Sequence, residues 1–244
     1  EAIRPELRQY FWEADNEELP YSRNQRSMVY QRSKHILATR SFGSDENQYA
    51  EDFNWLNHSI IPSKIKSDDF RIKVGINDKA YDVSILNISG TSFGSISPAA
   101  IESFSAGAKL GGFAHNTGEG SLSRYHEMGG GDTIWQISTG YFGCRTREGL
   151  FDKDKFIEKS RLPQVKMIEI KLSQGAKPGH GGMLLGGKVT AEISEARDVE
   201  PYKDVISPHN HSEFSTPEEL LKFANQLREL SDGKPVGIKI CIGH

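Results

Sequence analysis

The sequence predicts an α/β fold: about the first half of a (β/α)8 barrel, preceded by a helical and extended arm. Three observations carry this. From about residue 70 onward, short apolar runs that read as strands alternate with helical segments. The strand runs end in polar residues, as in KMIEIK. They exit through glycine-bearing turns, as in HNTGEG, ISTGYFG and SQGAKPGHGG. Barrel enzymes build their active sites from strand ends and the loops after them. About four barrel strands are recognisable, whereas a closed barrel has eight. The expected organisation is an arm over 1–75 and a truncated barrel over 76–244.

The elements follow in order. In the arm, RPELRQYFWEADNEELP and YSRNQRSMVYQRSKHILATR show interrupted helical periodicity, and NWLNHSIIPSK reads as loop. The basic cluster from Arg23 to Arg40 is first of all a solvated face; contact with an acidic surface is the alternative. RIKVG and AYDVSILNIS are two β-rich runs around a turn at Asn77-Asp78. Ser97 and Pro98 open a helix that Gly111 is expected to stop. FAHNTGEG, GDTIWQISTGYFG and KMIEIKLSQ read as core strands, the first two running into glycine turns. TREGLFDKDKFIEKSR is helical or irregular, and TAEISEARDV a short helix. The clearest helix is STPEELLKFANQLRELSDG: Thr216 caps it, Pro217 starts it, Glu219 completes a capping box and Gly233 ends it. PVGIKICIG is the next strand.

Composition narrows the function. A net charge of −3 over 244 residues argues against a nucleic-acid partner. There is no run of about 18 apolar residues to span a membrane, and no signal peptide. Two cysteines, Cys144 and Cys241, give neither a disulfide framework nor a CxxC pair, which fits a reducing compartment. The sequence opens at Glu1 and closes just past a strand-like run, the pattern of a piece of a longer polypeptide. The expected location is the cytoplasmic side, any membrane anchor lying outside these residues.

Several chemistries can be weighed at the glycine-rich loops. GMLLGGKV matches GxxxxGK but has Val189 where a phosphate loop needs Ser or Thr for magnesium, and no GxGxxG follows a strand. His209 and His211 share one loop, and His115 and His126 flank another; such residues more often hydrogen-bond within loops than ligate zinc, so no metal is expected. Lys171 and Lys239 lie within strand runs, where each charge needs a partner. That partner is an internal acid such as Glu169 or Glu119, or an anionic ligand. Lys177 in the glycine loop favours the ligand; Glu119 in NTGEG is either an ordinary loop carboxylate or, beside these lysines and glycines, a group to orient an ammonium or a flavin edge.

SFGSIS (92–97), HNTGEG (115–120), IWQISTGYFG (134–143), IEIKLSQGAKPGHGG (168–182), GGKVTAEISEAR (186–197), ISPHNH (206–211) and GIKI (237–240) occur in this order. Together they resemble the FMN-binding synthase domain of glutamate synthase, in the type that carries it without a glutaminase domain. The resemblance covers about residues 80 to 244. It implies an FMN-dependent (β/α)8 barrel in which reduced flavin delivers a hydride to 2-iminoglutarate, formed from 2-oxoglutarate and ammonia, giving glutamate. It implies that Gln174, Lys177 and Arg197 bind the dicarboxylate, that Glu119 and Lys177 are catalytic, and that Ser92, Phe93, Gly94, Ser95, Gln136, Lys171 and Lys239 meet the flavin. An iron–sulfur cluster and the flavin-phosphate loops are implied beyond these residues. Ammonia and electrons come from partners the sequence does not identify.

The chain also departs from the family pattern, QGAKPGEGGQLPG. His180 replaces Glu, Met183 replaces Gln and Leu185 replaces Pro, and the PPHH-like loop reads PHNH. The Gln position contacts substrate in the family, so Met183 puts the substrate in question rather than the flavin. Two alternatives therefore stand beside the synthase: an FMN barrel dehydrogenase for another amino or hydroxy acid, and a degenerate barrel that only binds.

Overall fold

A computed structural model describes residues 21–36, 47–51, 53–55, 57, 59–64, 70–76, 78–172 and 181–241. The chain divides into two compact units, Glu1–Lys64 and Ile65–His244. In the first, helix α1 spans Arg23–Ser33. Ser22 opens it with a capping box, its hydroxyl accepting from Gln25 N at 3.2 Å while Gln25 Oε1 accepts from Ser22 N at 2.7 Å.

The second unit is mixed α/β. A hairpin pairs β1 (Ile72–Val74) with β2 (Tyr81–Val83) antiparallel. Then come α2 (Pro98–Gly111), β3 (Ala114–Asn116), α3 (Arg124–Gly129), β4 (Asp132–Ile137), α4 (Lys153–Ser160) and β5 (Val165–Lys171). They are followed by β6 (Met183–Leu184), α5 (Ala191–Arg197), β7 (Val205–Ile206), α6 (Pro217–Leu230) and β8 (Val236–Lys239). Strands β3, β4, β5 and β8 form one parallel sheet in that order, and Ile88 bridges in parallel to His115 beyond β3. Four parallel strands taken up in chain order, with helices between them, are consistent with part of a (β/α) barrel. The sheet is the part of the barrel expectation that the structure bears out.

Local chemistry sets the helix ends. Ser97 Oγ accepts from Ala100 N at 3.2 Å and Pro98 occupies the first turn of α2. The helix includes Gly111 and ends instead on Gly112, at φ +65°. The expected stop at Gly111 thus moves one residue on, because the left-handed cap falls on the second glycine of the pair. Thr216 and Glu219 form the expected capping box of α6, and Gly233 stands at φ +85° just beyond it. TREGLFDKDKFIEKSR resolves into α4, whose cap Asp152 accepts from Asp154 N and Lys155 N at 3.1 Å.

One face of the sheet packs on helices. Alternation along β5 buries Ile168 and Ile170 with Trp135, Phe156, Phe223 and Leu227. Trp135 stacks on Phe156 at 5.3 Å. The other face carries Met167, Glu169 and Lys171, only partly covered. Below the sheet, at its N-terminal edge, the hairpin is tied down by Tyr81, whose hydroxyl donates to Asp132 at 2.8 Å. A second apolar cluster, with Phe93, Ile101, Phe142, Leu184, Val189, Ile193 and Val205, underlies the loops at the other edge.

Candidate functional site

The C-terminal ends of the parallel strands carry a row of polar side chains. Registry brings Gln136 opposite Glu169, and Lys171 opposite Lys239. Gln136 Nε2 and Asn116 Nδ2 both donate to Glu169 Oε1, at 2.6 and 2.8 Å. Asn116 Oδ1 in turn accepts from Gly118 N at 2.9 Å, which fixes the turn that follows β3. Two amide donors converge on this one carboxylate oxygen, and the charge of Glu169 acts on Lys171. Burial holds the Lys171 ammonium below the ordinary lysine range; Glu119 opposes this, Lys239 adds to it, and Glu169 opposes it again. The sequence left an internal acid or a ligand as the partner of Lys171. Both acids do act on it.

Glu119 joins this row to a second group. It sits in a 3-10 turn at Gly118–Gly120, where Ser138 Oγ donates to its Oε2 at 3.2 Å. Ser92, Ser95, Glu119, Phe142, Met183, Arg197 and their neighbours line a small cavity of about 70 Å³. Arg197, only 4% exposed, projects from the last turn of α5. Its Nη2 donates to Phe93 O at 2.9 Å, and its Nε has no hydrogen-bond partner. Burial pulls the guanidinium down from its usual value while the charge of Glu119 pushes it up. A buried guanidinium with one N–H lacking a partner, beside a small cavity, has the chemistry to receive an anion.

Backbone geometry makes room for these groups. A Cβ at Gly90 would lie 3.0 Å from Asn116 Oδ1 and 3.2 Å from Gln136 Nε2. One at Gly182 would collide with the Glu119 carboxylate. These two positions need glycine for close approach.

Of the residues expected from the sequence, Gln136, Lys171 and Lys239 share the strand-end row, while Ser92, Ser95, Glu119 and Arg197 share the cavity. Phe93 contributes differently: its ring is in the apolar cluster against Tyr125, and its carbonyl holds Arg197. Gly94, at φ +102°, packs beside Arg197 and Ile193. Gln174, Lys177 and His180 lie outside the described residues. Asn116 and Ser138 were missed, though their places directly before glycine turns were the available signal. His211 is a loop histidine with two hydrogen-bonded ring nitrogens, one against Tyr141 OH at 3.0 Å and one against Lys171 O at 2.9 Å. Burial lowers its basicity. Among the described residues no cluster of histidine, cysteine, aspartate or glutamate could hold a metal ion, and no helix is long and apolar enough to cross a membrane.

Comparison with known proteins agrees with these motifs. Residues 28–244 match the family described as the conserved region in glutamate synthase. The glutamate synthase large subunit-like protein YerD of Bacillus subtilis is 35% identical over 291 residues, covering 100% of this chain and 54% of that protein. The archaeal glutamate synthase [NADPH] of Methanocaldococcus jannaschii is 34% identical over 79% of this chain and 35% of its own length. The archaeal-type glutamate synthase [NADPH] of Thermotoga maritima is 36% identical over 63% and 28%. The chain thus spans about half of the first relative and a smaller share of the others. With its strand-end polar row and its ordered glycine turns, the chain belongs to the glutamate synthase family.

Proposed function

We propose that this chain is part of an FMN-dependent oxidoreductase of the glutamate synthase type, reducing 2-iminoglutarate to glutamate. The observation that carries the reading is that Glu119, in the cavity with buried Arg197, acts electrostatically on two cationic groups, Lys171 in the strand-end row and that arginine. The first group suits the anionic edge of a reduced flavin, and the second a substrate carboxylate.

The residues fit the cofactor. Gly90 keeps the space over Asn116 and Gln136 open, and Lys171 and Lys239 stand side by side at matched strand ends. Asn116, Gln136, Lys171 and Lys239, with the Ser92–Ser95 loop, would hold the ring. FMN bound there would supply the hydride. Arg197, with Gln174 and Lys177 of the glycine loop, anchors the two carboxylates of the substrate. Glu119 orients the imine formed when ammonia replaces the keto oxygen with loss of water. The small cavity and the apolar cluster beneath it keep bulk water from the reacting carbon. The phosphate of FMN and an iron–sulfur cluster would be held by residues beyond these 244. NADPH, which the names of two relatives carry, is the first electron donor to test.

Met183 favours a second reading. It lines the cavity, is 60% exposed, and cannot hydrogen-bond a carboxylate. An FMN barrel dehydrogenase acting on a less polar amino or hydroxy acid would use such a side chain. The deciding experiment is anaerobic titration of the reduced intact protein with 2-oxoglutarate and ammonium. Flavin reoxidation with stoichiometric glutamate supports the synthase. Flavin that stays reduced moves the reading to the dehydrogenase. A protein that takes up no flavin is a binding module.

A further inference from the structure

We propose that Arg145 is a positioning residue for the Arg197 guanidinium, acting through the ring of Phe142; the inference rests on the reading of Arg197 as a carboxylate anchor. Both guanidiniums lie over the same aromatic ring, Arg197 at 5.1 Å from its centroid and Arg145 at 5.5 Å. Cations at this distance are attracted by the ring's negative face, and more strongly where water is excluded. Phe142 is 3% exposed, so the attraction is desolvated.

The contacts close on themselves. Arg145 Nη1 donates to Gly140 O at 3.2 Å, which pins the turn that presents Phe142. Lys155 on α4 donates to Arg145 O at 2.9 Å and pairs with Asp198 Oδ2 at 3.4 Å. Asp198 directly follows Arg197 and caps α5 in the left-handed region, at φ +56°. Gly143 N donates to Arg197 O at 3.2 Å. The path Arg197, Phe142, Arg145, Lys155, Asp198 therefore returns to Arg197 through the chain. Burial lowers the basicity of Arg145, and Asp198 partly restores it. Arg145 itself is absent from the cavity lining, whereas Phe142 and Arg197 belong to it. Any contact effect on a bound anion passes through them.

A side chain held on two sides keeps one rotamer, and its spare N–H stays aimed at one point. Without Arg145, Phe142 loses its second cation and Arg197 gains freedom. The binding of an anion should weaken, while the hydride step, which Arg145 does not touch, should persist.

The test uses the intact flavin-loaded protein with 2-oxoglutarate as the probe. For Arg145→Met, the KM for 2-oxoglutarate should rise roughly three- to thirtyfold, the range of a partly to fully desolvated cation–π contact. The kcat should stay within about twofold, with flavin content unchanged. Arg145→Lys, which keeps a charge over the ring, should recover most of the affinity. A crystal structure of Arg145→Met should show the Arg197 guanidinium displaced from the Phe142 ring. Unchanged KM with an undisplaced Arg197 overturns the proposal. So does a joint fall of kcat and flavin content that Arg145→Lys fails to rescue, because that marks a general structural role. If the unaltered protein does not bind 2-oxoglutarate, the substrate reading fails on its own, and the position of Arg197 in the variant structure decides the positioning role.

Discussion

Mild acid should destabilise the second unit through two buried imidazoles. His115, on β3, and His126, on α3, are fully buried with their rings 5.1 Å apart. His126 Nδ1 accepts from Ser123 N at 3.1 Å, and since a backbone N–H only donates, the ring proton of neutral His126 is on Nε2. That nitrogen and His115 Nδ1 have no partners, while His115 Nε2 meets Thr91 Oγ1 at 2.8 Å. A second proton on either ring would enter a buried site where no counter-charge acts on it. Burial accordingly pushes His115 from 6.5 down to about 4, and burial together with the neighbouring His115 pushes His126 to about 3. The folded values are depressed, so the unfolded chain takes up protons first as pH falls. Stability is complete above pH 6.5 and is lost from there down towards about 4 and about 3. Each ring costs about 1.4 kcal/mol per pH unit in that window. Between pH 6.5 and 5 the pair costs about 2–4 kcal/mol. The assay is urea unfolding of the intact protein at pH 7.5 and 5, alongside His126→Asn. The variant should lose about 1–2 kcal/mol less than the unaltered protein over this interval, having one fewer proton to take up. Equal losses, or a ring titrating above about 5.5 by NMR, would refute the reasoning.

Other tests follow from single contacts. Gly182→Ala puts a methyl group against the Glu119 carboxylate and should raise the 2-oxoglutarate KM about tenfold or more in steady-state assays. Trp135→Ala empties the space stacked on Phe156 and should cost about 3–5 kcal/mol in chemical denaturation. Met183→Gln should tighten 2-oxoglutarate several-fold if the synthase reading is right; no change would favour the less polar substrate. Cys144 is fully buried and its thiol is pushed up by that burial, so its peptide should stay unalkylated in native protein and react in urea, as peptide mapping would show.

Residues that act locally were legible in the sequence. Ser97-Pro98 and Thr216 with Glu219 announce helix starts because their side chains bond the backbone a turn away. The apolar runs of β4 and β5 were equally plain, since a strand buried in a parallel sheet is apolar along most of its length. The β6–β7 pair was not foreseen. Its two-residue strands leave no period to detect, and their pairing, Met183 with Ile206 and Leu184 with Val205, bridges more than twenty residues. Helix α3 was too short for a pattern. Of the site, the types of residue were visible but not their grouping. Only registry reveals that Gln136 and Glu169 are neighbours, and only the folded loops bring Glu119 into one cavity with Arg197.

The shared oxygen of Glu169 has an evolutionary consequence. Asn116, Gln136 and Glu169 come from three strands; replacing Glu169 strands both amides, and replacing either amide removes one of the two donors that hold the carboxylate oxygen. Such a triad resists drift. Met183, by contrast, sits on a two-stranded ribbon with most of its surface in solvent, where substitutions are cheap. A lineage built this way can vary its rim while the strand-end floor stays fixed, and sequence differences among relatives should concentrate accordingly.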